Sequence, residues 1–270
     1  MLFAMGVPHD VVQVPGGVIL VVPPKWEAGA RRQLELYAQE DAGFRPHRPE
    51  FEFKGDGLYG VLAYIALLGI AYAMQVNSSF GLDWRRQGLS SARDFLDEPW
   101  RALTSLTLHA DIEHLCGNLF FGALFGVLVT QLIGSGAGWL MILLAGFGGN
   151  AVNALVQPET HRSLGASTAV FGALGLLVGF EFMRRKKFEL PAVQRWAPPI
   201  LGAFLLGWLG FGGGDTDVMA HVFGFLVGGA LGLPLAKLDA RGSFDLPEVQ
   251  TWCGMATIAL LCMGWSFAHL

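Results

Sequence analysis

The sequence predicts an all-α polytopic membrane protein, and three observations carry that prediction. Of its 270 residues, 53% are hydrophobic and only 15% are charged, where a soluble domain carries roughly 25%. The mean hydropathy is +0.46. Nearly all charged residues fall outside a set of apolar runs, each long enough as a helix to cross a hydrocarbon core about 30 Å thick.

Residues 1–56 are polar to mixed. Val11 to Val14 and Val18 to Val22 flank Pro15-Gly16-Gly17, which predicts a hairpin. Ala, Arg, Leu and Glu dominate Trp26 to Gln39, which predicts a helix. This segment is too small to bury much core of its own. Met1 to Asp10 lacks the basic and apolar regions of a secretory signal, so the N-terminus is expected to stay in the cytoplasm.

Seven spans follow, at 58–76, 113–133, 137–157, 167–183, 197–211, 217–236 and 251–268. The fifth is short, bounded by Pro198-Pro199 and Gly212-Gly213-Gly214, and is expected to be tilted or loosely packed. A long connection between the first two spans holds Trp84, Trp100 and Arg101 and reads as interfacial. With the N-terminus inside, 13 Lys and Arg lie on the inner side against 5 outside, which favours that orientation. The C-terminus is then outside.

The net charge of −4 gives no basic stripe for nucleic acid. Cys116, Cys253 and Cys262 have no metal-binding spacing and read as small buried hydrophobes.

Polar residues inside spans are expensive and point to function. His114 and Asn118, four apart, share one face of the second span. Ser167 opens the fourth span beside Thr168, where a serine is commonly an N-cap. His221 lies near the start of the sixth, with Gly224 and Gly228 on its face, and the fourth carries Gly175 and Gly179. Such small residues let helices approach closely. The second, fourth and sixth spans all enter from the outer side, so they deliver a serine, a histidine and two donors to one layer. That is a complete set for acyl transfer. Glu181, near the cytoplasmic end, is expected to snorkel beside Arg184 and Arg185.

Over residues 57–237 these features resemble the rhomboid family of intramembrane serine proteases. The resemblance rests on Trp100-Arg101, on His109 with His114 and Asn118, on Gly165-Ala166-Ser167, and on Ala220-His221 followed by Gly224 and Gly228. It implies a six-helix transmembrane bundle of bacterial type, in the bacterial cytoplasmic membrane, that cleaves transmembrane protein substrates without metal or cofactor. By the same resemblance Ser167 is the nucleophile, His221 the general base, and the Ser167 N–H with His114 and Asn118 the oxyanion site. Phe171 stands where the family carries an aromatic stacked on the histidine, and His109 would organise the loop or retain water. The family commonly has glycine where this chain has Thr168, whose β-branched side chain is expected beside the oxyanion site. Residues 238–270 add a linker and an extra seventh helix.

Other chemistries fit less well. Gly212-Gly213-Gly214-Asp215 matches an aspartyl-protease pattern, but Asp215 sits in a glycine-rich loop outside the spans and no Tyr-Asp pair occurs in the sequence. His109 and His114 lack the HExxH spacing of a zinc protease, and neither an inverted repeat nor an intramembrane carboxylate chain suggests a transporter. The alternative from another class is an inactive rhomboid-like protein that binds membrane clients; such relatives typically lack the serine or the histidine, and this chain keeps both.

Overall fold

The computed structural model describes residues 6–14, 17–44, 54–55, 57–188, 190–210 and 216–268. Contacts divide the chain into two compact units, 1–50 and 51–270. In the first, strands β1 (Asp10–Val14) and β2 (Gly17–Val21) form an antiparallel hairpin with Val12 opposite Ile19. The turn at Pro15 and Gly16 lies outside the described residues. A 3-10 turn at Pro24–Trp26 precedes helix α1 (Glu27–Phe44), and Val7, Ala30 and Val22 make a small apolar cluster.

The second unit is helical. Its long helices are α2 (Leu58–Val76), α5 (Ile112–Ile133), α6 (Ser135–Val156), α7 (Ser167–Lys187), α8 (Ala192–Gly210), α9 (Val218–Asp239) and α10 (Pro247–Ala268). The short helices α3 (Trp84–Gly88) and α4 (Arg101–Thr104) occupy the long loop between α2 and α5. In that loop β3 (Ser90–Ser91) pairs antiparallel with β4 (Arg162–Ser163), which precedes α7. Among the described residues six helices are long and apolar enough to cross a membrane: α2, α5, α6, α7, α9 and α10.

The fifth span stands as α8, but Gln194, Arg195 and two prolines keep it out of that group. It also starts before its prolines. Pro198 cannot donate to the Gln194 carbonyl four residues back, and that carbonyl instead accepts from the Arg185 guanidinium at 2.8 Å. An outside donor thus satisfies one of the two carbonyls that the prolines free.

Helix α7 is the hub, packed by α5, α6, α8 and α9. Its seam with α9 is made by glycines. A Cβ at Gly175 would strike the Phe225 carbonyl, one at Gly228 the Gly172 carbonyl, and one at Gly224 the Thr168 carbonyl. Backbone therefore packs on backbone, the arrangement small residues permit where no water drives association. Thr168 is 2% exposed and sits in this seam, its Cγ2 against Gly149 and Gly224. The first turn of α7 thus turns the Thr168 side chain toward α6 and α9.

The cysteines also need correction. Cys116 and Cys262 are exposed and Cys253 is half-buried. A lipid-facing position is as apolar as a packed one, so hydropathy alone could not separate the two. Glu181 pairs with Arg184 at 2.8 Å and Arg185 at 3.2 Å, as expected.

Candidate functional site

Three helices begin around one point. α5 is capped by Asp111, whose carboxylate accepts from the His114 N–H at 2.8 Å. α9 is capped by Asp217, whose carboxylate accepts from the Ala220 N–H at 3.1 Å. α7 starts at Ser167 after Ala166, with no side-chain cap. The serine is therefore the first helical residue and not the cap, which leaves its hydroxyl free of that duty. Unpaired N–H groups and the positive ends of three helix dipoles gather here.

The first turns of α7 and α9, which carry Ser167 and His221, face each other. Thr168, next to the serine, lies against Gly224, one turn beyond the histidine. Phe171, one turn after Ser167, places its ring 4.5 Å from the His221 ring at 32°. Buried His221 puts Nδ1 3.0 Å from the Gly210 carbonyl at the end of α8. A carbonyl can only accept, so Nδ1 carries the proton and Nε2 of the neutral ring is left as the acceptor. Among the described residues no hydrogen bond joins the Ser167 hydroxyl to His221, and such bonds commonly tighten only when substrate is bound.

Gly165 closes the donor side. Its φ is +128°, and a Cβ there would lie 2.6 Å from Cε1 and 2.8 Å from Nε2 of His114, and 3.6 Å from Ser167 Oγ. The missing side chain is what lets the His114 imidazole approach the serine. Asn118, one turn further along α5, is 6% exposed, and its Nδ2 has no partner among the described residues. A buried amide donor left unpaired is costly, and this one lies on the same helix face as His114. Its backbone carbonyl accepts from the Tyr64 hydroxyl at 2.7 Å, which ties α2 to this face.

His109 is fully buried, its ring 5.2 Å from that of His114. Gln75 holds both its N–H (3.0 Å) and its carbonyl (2.7 Å), and Arg85 donates to the same carbonyl at 3.1 Å. Burial, then the neighbouring His114, pushes its imidazole down to about 4, so it is neutral near pH 7. Trp100 and Arg101 stand elsewhere. Trp100 stacks on Phe267 of α10, and Arg101 bonds Glu98 and the Arg86 carbonyl, contacts that shape the first loop.

Several polar residues escaped sequence reading. Asn150 of α6 donates to the Ala102 carbonyl (3.0 Å) and to Ser105 Oγ (3.1 Å), and the Ser105 carbonyl accepts the Gly165 N–H at 2.9 Å. Asn153, His161 and Asp217 form a second cluster. Asn150 and Asn153 lie within the third span, where the cost of intramembrane polar groups could have singled them out.

A family model described as the Rhomboid domain matches residues 96–238, more than half of the chain. RHOMBOID-like protein 6, mitochondrial, of Arabidopsis thaliana is 33% identical over 168 residues, covering 60% of this chain and 50% of that protein. Rhomboid protease GluP of Bacillus subtilis is 34% identical over 145 residues, covering 52% and 27%. Inactive rhomboid protein 1 of Drosophila melanogaster is 32% identical over 114 residues, covering 41% and 8%. The chain thus spans half or less of the length of these relatives. With its helical bundle and the matched domain, the chain is an integral membrane protein that belongs to the rhomboid family.

Proposed function

We propose that the protein is an intramembrane serine endopeptidase that cleaves transmembrane segments of other membrane proteins near one surface, with Ser167 as nucleophile and His221 as base. The observation that carries this reading is the glycine seam between α7 and α9, which sets Phe171 4.5 Å from the His221 ring. Ser167 then lies one turn above.

In this mechanism the Ser167 hydroxyl gives its proton to His221 Nε2 as Oγ attacks the scissile carbonyl carbon. The resulting oxyanion accepts from the Ser167 N–H, His114 and Asn118, in a site where helix dipoles add favourable potential. Collapse of the intermediate breaks the peptide C–N bond, and the imidazolium returns its proton to the leaving amine. Water then attacks the ester carbonyl as the same Nε2 takes its proton, and the imidazolium passes that proton to the departing Oγ, which releases the carboxylic acid product and restores Ser167 and His221. The carbonyl of Gly210 and the ring of Phe171 orient the imidazole, the task a carboxylate performs in a triad.

The orientation goes with this reading. Arg184, Arg185, Lys186 and Lys187 end α7, which suits a cytoplasmic surface; the site is then on the outer side, the N-terminal segment 1–56 is cytoplasmic and the C-terminus is outside. A bacterial cytoplasmic membrane would fit this arrangement. Residues 57–237 form the catalytic core in this account, followed by the linker and α10 in 238–270. The test is cleavage of a model transmembrane substrate by the purified protein beside Ser167→Ala and His221→Ala. Product from wild type alone supports the reading. A protein that only binds membrane clients would leave the substrate intact in all three.

A further inference from the structure

The candidate nucleophile and base sit on different helices, and the glycine seam fixes those helices only below the site. Above it, one carboxylate joins the two leading loops. Asp217 Oδ1 caps α9 four residues before His221, while Oδ2 lies 2.8 Å from His161 Nε2 and 2.8 Å from Asn153 Nδ2. His161 belongs to the loop that runs into Ser167, and Asn153 is near the end of α6. A carboxylate only accepts, so His161 Nε2 carries a proton toward it. Burial pushes the Asp217 carboxyl up, but bonds from the Ala220 N–H, His161 and Ser163 outweigh it and hold it below its ordinary value. The opposite side of the same loop is pinned by β3 and β4 and by the Ala92 N–H on the His161 carbonyl at 3.2 Å.

We propose that His161 and Asp217 are positioning residues, a clasp that holds the Ser167 loop against the start of the His221 helix. The inference rests on the Ser167 and His221 reading. Neither residue need touch substrate; the clasp sets the distance across which the serine proton must pass, and an error of about 1 Å in such a distance can cost on the order of a hundredfold in rate.

The test uses the full chain in detergent micelles with a model transmembrane substrate. Asp217→Ser keeps a good N-cap but is too short to reach His161; His161→Ala removes the other half. Each is expected to lower kcat by about 10- to 100-fold with KM unchanged, and the double variant to lose no more than the worse single. His161→Gln, whose amide can donate from a similar position, is expected to recover most of the loss, which a merely structural role would not predict. A fluorophosphonate should label Ser167 more slowly in both single variants. If Asp217→Ser fails to fold, Asn153→Leu removes a second donor to the same oxygen and should show the same split. Wild-type kcat in His161→Ala and Asp217→Ser, with Ser167→Ala inactive, overturns the clasp and leaves the dyad standing. Losses that multiply in the double variant without rescue by glutamine also overturn it. Activity retained in Ser167→Ala would instead overturn the dyad.

Discussion

Replacing Gly165 by alanine tests whether backbone geometry sets the oxyanion site. The new Cβ would stand 2.6 Å from Cε1 and 2.8 Å from Nε2 of His114, whereas carbon contacts settle near 3.5–4.0 Å. The imidazole must therefore retreat by about 1 Å, which takes a hydrogen bond of about 2.9 Å beyond useful range. Losing one oxyanion donor costs roughly 2.7–4 kcal/mol, or about 10²–10³ in kcat. The backbone adds its own penalty, since φ is +128° and a side chain there stores about 1–3 kcal/mol of strain. Steady-state cleavage of a transmembrane substrate in micelles, paired with thermal unfolding, separates the two effects. Gly117→Ala is the control, because a Cβ there meets nothing within 4 Å; its kcat should equal wild type. A folded Gly165→Ala protein with undiminished kcat would refute the placement of His114 as a donor.

Asn118→Ala and His114→Ala should each slow turnover without stopping acylation, and the double variant should fall far below either in single-turnover assays; equal rates in all three would assign the pair to packing. Because the Asp217 carboxyl is held below its ordinary value, its stabilisation is complete above its unfolded pKa of about 3.9 and is lost as the pH falls through the lower folded value. The difference in melting temperature between wild type and Asp217→Asn should therefore be level near neutrality and shrink in acid, and a difference that grows in acid would contradict this. A disulfide joining the outer halves of α8 and α5 should block cleavage of a membrane-spanning substrate and release it on reduction, since Ile200, Leu201, Phe204 and Trp208 of α8 are exposed and its only buried residues are Gly202 and Gly210. Full activity while cross-linked would direct substrate entry elsewhere. The glycine-rich loop 212–216 lies, apart from Thr216, outside the described residues.

The sequence was most legible where one force dominates. The run 58–76 reappears residue for residue as α2, because hydrocarbon thickness sets both its length and its apolar content. His114, Asn118, Ser167 and His221 stood out because polar groups in apolar spans are costly. Long-range partners were not legible. Nothing in Pro198-Pro199 foretells that Arg185 satisfies the carbonyl they free, and nothing near His161 announces Asp217. Both depend on segments that meet only after the bundle closes. That Ser167 is the first residue of α7 and Ala166 its N-cap was likewise not legible, since the backbone at Gly165, with φ +128°, takes its shape only in the fold.

If Ser167 is a nucleophile made reactive by His221, covalent labelling reveals it without any choice of substrate. Incubation of the purified protein with a fluorophosphonate, followed by peptide mass spectrometry, should find the phosphonyl group on Ser167. The adduct should vanish in His221→Ala while that variant remains folded, since a serine hydroxyl is a weak nucleophile without a base. Labelling at another serine, or equal labelling of Ser167 with and without His221, would contradict the account.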